Sequence, residues 1–351
     1  MKGKYEKTAY LTLLSVISMI AVVILHANGC FWAFSTDRYW VTANCIESVF
    51  YFAVPIFFMI SGATLLDYRD RYDTRVFVKK RALKTVIPFL FWSVFGLLFR
   101  LFVTKDLAWD EIGVVGAING ILNTQFVDIY WFFNPLFVMY AFIPLVSLVP
   151  KEKKTRVYGW AALVLFCTSS LIPFFLSVFH TGIHWPLDPG APVHYLLFLF
   201  LGYYLSHKEL SDTFCLLACG LGIIGLLAHI LGTYYLSVQA GGIVGDFKGY
   251  LNLPSVLFAV GIFVFFKRYG NRLMRSFLGK PVRAMASYSF TVYLLHWFML
   301  RLIQKVFMHY GIVVDFSLWY RLGAVVVIVP ASMLIAWIVR KIPLVRGILP
   351  S

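Results

Sequence analysis

Residues 11–29 read L-T-L-L-S-V-I-S-M-I-A-V-V-I-L-H-A-N-G. The run is almost wholly apolar and holds one ionisable side chain, His26, near its end. A run of this length crosses a membrane as a helix, because lipid leaves the backbone no hydrogen-bond partner but itself. Lys2, Lys4 and Lys7 precede it, and basic residues are retained on the cytoplasmic side. At about 1.5 Å per residue, a helix from Thr8 reaches His26 after roughly 27 Å, close to the full hydrocarbon thickness. His26 therefore belongs to the outer half of the membrane. There it is either a functional group facing the protein interior or an interfacial residue wetted from outside.

Similar apolar runs recur along the chain. Of the 351 residues 60% are hydrophobic and only 13% charged, with a mean hydropathy of +0.80. That composition excludes an ordinary soluble domain. The first run lacks a small-x-small cleavage site and further spans follow it, so it reads as a retained helix and not a signal peptide. The predicted fold class is all-α: a polytopic membrane bundle of about ten transmembrane helices. They fall near residues 8–28, 45–66, 83–103, 130–149, 157–178, 193–206, 213–236, 251–267, 287–308 and 321–340. The sixth is short for a crossing, and is either tilted or buried in the bundle. No segment is long and polar enough for an appended soluble module, so residues 1–351 read as one integral membrane domain.

Charge sets the topology. Most of the 31 Lys and Arg fall in segments that ten spans put with the N-terminus, above all 67–84, 150–156 and 267–283. Arg38, Arg100, Lys105, Lys248, Arg301, Lys305 and Arg321 fall on the other side. The asymmetry predicts both termini in the cytoplasm. The net charge of +15 lies in short loops, where it meets membrane lipid and argues against nucleic acid as a partner. Cys30 and Cys45 both lie near the outer face, where a disulfide is allowed but not demanded. Cys167, Cys215 and Cys219 sit in apolar runs as packing residues, and no Cys/His spacing suggests a metal.

Three polar features stand out besides His26. Glu47 begins the second span at a depth similar to His26. It either orients the imidazole as a base, with a raised pKa, or is simply interfacial. Arg81 and Lys84, with Lys80 beside them, are a basic group at the cytoplasmic edge of the third span. The three-residue spacing of Arg81 and Lys84 puts them on one helix face, which suits a polyphosphate; on charge alone, ordinary positive-inside anchoring to lipid is the simpler reading. His296 lies about 13 Å into the ninth span with Tyr293 on the same face, and must face the bundle, as a working or a structural histidine. The outer segment 104–129 reads as interfacial. The loop 179–192, with His180, His184, Trp185 and Asp188, suits either a sugar or an aromatic belt.

Taken in order, these motifs resemble the bacterial membrane-bound acyltransferase-3 family along nearly the whole chain. They are His26 in the first span; the I-S-G run Pro55 to Gly62; and Arg81, Lys84 and Pro88. There follow Trp131-Phe132 with Tyr140 and Pro144; Ser289, Tyr293, Leu294 and His296; and the R-K-I-P of Arg340 to Pro343. The resemblance implies a ten-span O-acyltransferase of the plasma membrane. It would take an acyl group, often acetyl, from cytoplasmic acyl-CoA, with no metal. The acceptor would be a hydroxyl of an envelope glycan or its lipid-linked precursor. It makes His26 the catalytic histidine; the depth of Glu47 and the polarity of Asn28, read from the sequence itself, add an orienting carboxylate and a candidate oxyanion donor. Arg81, Lys84 and Lys80 would lie at the donor, here acetyl-CoA. A homo-oligomer is compatible with this. The family often has an arginine eleven residues before the first-span histidine, and this chain has Ser15. Membrane domains of vancomycin-resistance serine racemases, linked to serine uptake, look similar too. The alternative is therefore a transporter of a small polar solute such as an amino acid.

Overall fold

The computed structural model describes residues 8–187, 190–343 and 346–350. The basic start Lys2, Lys4 and Lys7, and Asp188, lie outside the described residues. The described chain is a helical bundle with no strand. Eight helical stretches are long and apolar enough to cross a membrane: Ala9–Ala27, Arg38–Asp70, Thr74–Thr104, Asp128–Val146, Lys151–Val178, Asp212–Ala240, Leu253–Arg275 and Leu318–Arg340. The other two expected spans are helical as well, Leu196–His207 and Ser289–His309. The first is only 12 residues long. The second carries Arg301, Gln304 and Lys305 in its latter half. Leu196–His207 and the first half of Ser289–His309, up to Leu300, bury most of their side chains inside the bundle, where neither full length nor a lipid-facing apolar surface is required; the residues after Leu300 are mostly exposed.

α1 (Ala9–Ala27) is the hub, with 67% of its apolar window buried. It packs against α2 (Arg38–Phe50), α3 (Ala53–Leu65), Gly279–Ala286, Leu253–Arg275, Ser289–His309 and Leu318–Arg340. Residues between α2 and α3 leave helical bonding at Tyr51 and Phe52. Pro55 explains the break, since it has no N–H to return to the Tyr51 carbonyl.

The third span has a similar device. α4 (Thr74–Arg81) passes through a π-turn at Ala82–Val86 into α5 (Ile87–Phe99). Pro88 follows the turn, and its ring would clash with the Lys84 carbonyl of a regular helix. The same pairing occurs at Cys167–Leu171, a π-turn ahead of Pro173.

α6 (Trp109–Leu122) holds the outer segment, with Val114, Val115 and Ile118 exposed. α7 (Phe133–Val146), α8 (Lys151–Phe166) and α9 (Ile172–Val178) lead to α10 (Leu196–His207), which packs on α3 and α8. Backbones touch at the α3–α10 crossing. A Cβ on Gly62 would sit 1.8 Å from the Leu199 carbonyl oxygen, and one on Gly202 2.0 Å from that of Met59. The glycine of the I-S-G run is therefore a packing requirement. α11 (Asp212–Ala240), α12 (Leu253–Arg275), α13 (Gly279–Ala286), α14 (Ser289–His309) and α15 (Leu318–Arg340) complete the bundle.

The chain end folds back beneath α14. Arg340 donates to the carbonyls of Leu349 (3.0 Å), Pro350 (2.8 Å) and Ser287 (3.0 Å) and to Thr291 Oγ1 (3.0 Å). Trp92 of α5 donates to the Ile348 carbonyl at 2.9 Å. All five cysteines are free, Cys30 and Cys45 included.

Candidate active site

A cavity of about 230 Å³ runs beside α1. Ser15, Val22, Leu25 and His26 line it from α1, which is one stripe of that helix. Ser15 and His26 are eleven residues apart, so the cavity follows about 16 Å of the helix axis. α14 supplies Ser289, Phe290 and Tyr293, and the last residue of α13 supplies Ala286. Ile129, Trp131, Phe132 and Tyr250 complete much of the wall. No lysine, arginine, aspartate or glutamate lines it among the described residues.

His26 is partly buried and makes no hydrogen bond to a described residue, leaving its nitrogens to the cavity. Its ring centroid lies 5.2 Å from that of His296, at 37°. His296 is fully buried, with Nδ1 3.1 Å from the Val292 carbonyl and 2.8 Å from that of Tyr293. Two further bonds hold this part of α14 rigidly. Tyr293 donates its hydroxyl to the Ile129 carbonyl at 2.8 Å, and Tyr130 donates to that of Leu294 at 2.7 Å. Trp131 stacks on Tyr250, 5.4 Å between centroids at 23°, and Tyr250 stacks on Tyr51 at 4.1 Å and 6°. Thus Ser15, His26, Trp131 and Tyr293 share one cavity, with His296 against His26.

Glu47 and Asn28 do something else. Glu47 Oε1 pairs with Lys248 Nζ at 3.1 Å, with both side chains buried. No contact joins Glu47 to His26 among the described residues, so Glu47 does not orient the imidazole as the sequence suggested. The reason is electrostatic: a buried carboxylate is offset better by a full cation than by a neutral imidazole. Asn28 donates to the Ala43 carbonyl (2.9 Å) and weakly to Glu47 Oε2 (3.5 Å), and accepts from Arg321 (3.3 Å). Its amide is thereby committed, which removes it as an oxyanion donor. Arg321 is 1% exposed and also reaches the Tyr39 carbonyl and Thr42 Oγ1. Lys248 rests over the rings of Phe31, Trp32 and Tyr51. This network holds Asn28, which caps α1 two residues beyond His26. Lys248 and Arg321 were legible only as outer cations; which carboxylate and amide they meet depends on α11–α12 and α15 packing beside α2.

The basic group lies apart from the cavity. The Arg81 guanidinium packs over Phe77 and Tyr140, 5.8 and 5.5 Å from their centroids, and its Nε is buried with no described partner. Lys80 lies over Tyr72 at 3.9 Å. Lys84 is exposed within the π-turn, so the pair does not keep plain α spacing. That π-turn packs against the turn Arg346–Ile348. The adjoining Leu349 and Pro350 are tied through Arg340 to Ser287 and Thr291, which flank the cavity residues Ser289 and Phe290. The basic group and the Ser15 end of the cavity thus lie at the same end of the bundle. In the outer loop, Trp185 donates to the Thr168 carbonyl at 2.9 Å. No group of three His, Cys, Asp or Glu able to hold a metal occurs among the described residues.

A family model described as an acyltransferase domain matches residues 8–341. The chain belongs to the acyltransferase-3 family. The match includes every helix that lines the cavity and the whole basic segment, so the acyltransferase-3 chain is a multi-pass membrane protein and an acyltransferase. No curated protein and no solved structure matches it.

Proposed function

We propose that the protein is an O-acyltransferase of the bacterial plasma membrane. It would move an acetyl group from cytoplasmic acetyl-CoA to a hydroxyl of an envelope glycan or lipid-linked precursor. One observation carries this reading: a cavity runs from Ser15, at the end of the bundle that bears Arg81 and Lys84, to His26, which makes no hydrogen bond to a described residue. At about 230 Å³ it is smaller than the roughly 300 Å³ at which sites for whole drug-sized ligands begin. It therefore suits the acyl-thioester end of a donor whose polyphosphate head stays outside.

The head would rest on Lys84, which is exposed, and Arg81, which is partly exposed, by charge-assisted hydrogen bonds to phosphate oxygen. The acyl group would be neutral, because a carboxylate-bearing acyl chain such as succinyl would meet no cation in the cavity wall. The same absence weighs against transport of a zwitterionic amino acid. His26 takes the proton of the acceptor hydroxyl as its oxygen bonds to the acyl carbon. The C–S bond then breaks, and His26 returns the proton to the thiolate. The Trp131 indole N–H has no described partner and is the cavity donor best suited to the developing oxyanion.

The test is acetyl-CoA binding to the purified protein in detergent, wild type beside Arg81→Ala/Lys84→Ala. Charge-assisted hydrogen bonds contribute about 1.5–3 kcal/mol each, so affinity should fall at least roughly tenfold to a hundredfold. Undiminished binding in a folded double variant would remove the basic pair from the donor site. Absence of binding by the wild type would remove acyl-CoA as donor.

A further inference from the structure

His296 is buried completely, yet only half of its hydrogen-bonding capacity is used. Its Nδ1 faces two carbonyl oxygens, at 2.8 and 3.1 Å. A carbonyl oxygen only accepts, so Nδ1 carries the proton. In the neutral ring Nε2 is then a bare lone pair. That Nε2 is buried with no partner among the described residues. A lone pair left so in an apolar interior is costly unless something donates to it at some stage.

The donor at hand is His26. An imidazole N–H···N bond has a heavy-atom distance of about 2.9 Å, which sets ring centroids about 5 Å apart. The two centroids are 5.2 Å apart. What is missing is the bond itself: the ring planes are tilted by 37° and no hydrogen bond between them is formed. His26 has room to turn, because neither of its nitrogens is held by a described residue and one side of it faces the cavity. His296 is not free, because its backbone bonds and the Tyr293 and Tyr130 hydroxyl bonds fix α14 on both sides.

We infer that His296 is the positioning residue for His26: its Nε2 accepts the N–H of one His26 nitrogen, which leaves the other bare toward the acceptor hydroxyl. This rests on His26 being the base. When the hydroxyl O–H bond breaks, its proton adds to the bare nitrogen of His26 and the oxygen bonds to the acyl carbon. His26 is then an imidazolium, and the N–H on its far side stays held by His296. The C–S bond breaks, the thiolate takes the newly added proton, and His26 returns to its starting tautomer. No proton passes to His296. Its work is to fix the tautomer and to hold the cation while it exists, in the way a carboxylate serves the histidine of a hydrolase triad. Here the holder is neutral, in keeping with a cavity that contains no carboxylate.

The experiment measures CoA release from acetyl-CoA, read as free thiol, with water and with a chitin oligosaccharide as acceptors. His296→Phe keeps the ring but removes the acceptor, and His296→Gln replaces the ring but restores an acceptor oxygen. The Phe variant should lose on the order of a hundredfold in kcat with KM for acetyl-CoA unchanged, and the Gln variant should recover at least a tenth of wild-type kcat. Should the Phe variant not fold, as judged by lost acetyl-CoA binding, His296→Leu takes its place. A Phe or Leu variant within threefold of wild type overturns the inference. So does a Gln variant as slow as the Phe variant. His26→Ala separates the two readings: if it is active, the base assignment itself fails; if it is inactive while His296→Phe is active, only the positioning role fails.

Discussion

At the scale of single residues, the site depends on a buried charge pair that never touches the cavity. Lys248 and Glu47 cap the turn after His26 through Asn28, with side chains only 3% and 7% exposed. Breaking such a pair leaves an uncompensated charge and costs about 3–5 kcal/mol, whereas replacing both partners can be neutral. Lys248→Met should therefore lower thermal stability in detergent markedly, and Glu47→Gln/Lys248→Met should restore most of it. A double variant no more stable than the single one would mean that the pair is not the source. His26, Ser15 and Tyr293 were legible because a polar group in an apolar run stands out and helical spacing gives its face. The partner of Glu47 was not legible, since depth along a span ranks neighbours only within one helix pair. Lys248 lies about two hundred residues away in sequence, and only the packing of α11 and α12 brings it in.

At the scale of elements, prolines and glycines set the shape more than hydropathy does. Pro55, Pro88 and Pro173 each follow an interruption or a π-turn, which explains why boundaries read from apolarity alone miss by several residues. The short sixth span is Leu196–His207, and its brevity is permitted because it lies against α3 and α8 and not against lipid. Its backbone contact with α3 is the tightest constraint. Gly62→Ala would place a Cβ 1.8 Å from the Leu199 oxygen, so one helix must move. Overpacking of that kind typically costs about 1–3 kcal/mol. The Ala variant should show a lower melting temperature and reduced yield of monodisperse protein; an unchanged melting temperature would show that the crossing relaxes freely. The π-turn at Ala82–Val86 matters for function as well, because it carries Lys84 away from the strict face that three-residue spacing implies.

At the scale of the whole molecule, the bundle keeps its basic group and its cavity imidazole well apart along the axis of α1. Cations sit with the folded-back chain end at the Ser15 end of the bundle, and the His26 imidazole, bonded to no described residue, sits about 16 Å further along α1. Ser15 in place of a long cation leaves the cavity free of fixed charge, which favours a neutral acyl chain over an ionic solute. The measurement that tests this account most directly is acetyl-CoA turnover in proteoliposomes, His26→Ala beside wild type, with acetyl-CoA affinity measured on both. General base catalysis contributes about 10²–10⁴-fold, so the variant should bind acetyl-CoA as the wild type does and turn over at least about a hundredfold more slowly. A variant that turns over at the wild-type rate would contradict the account.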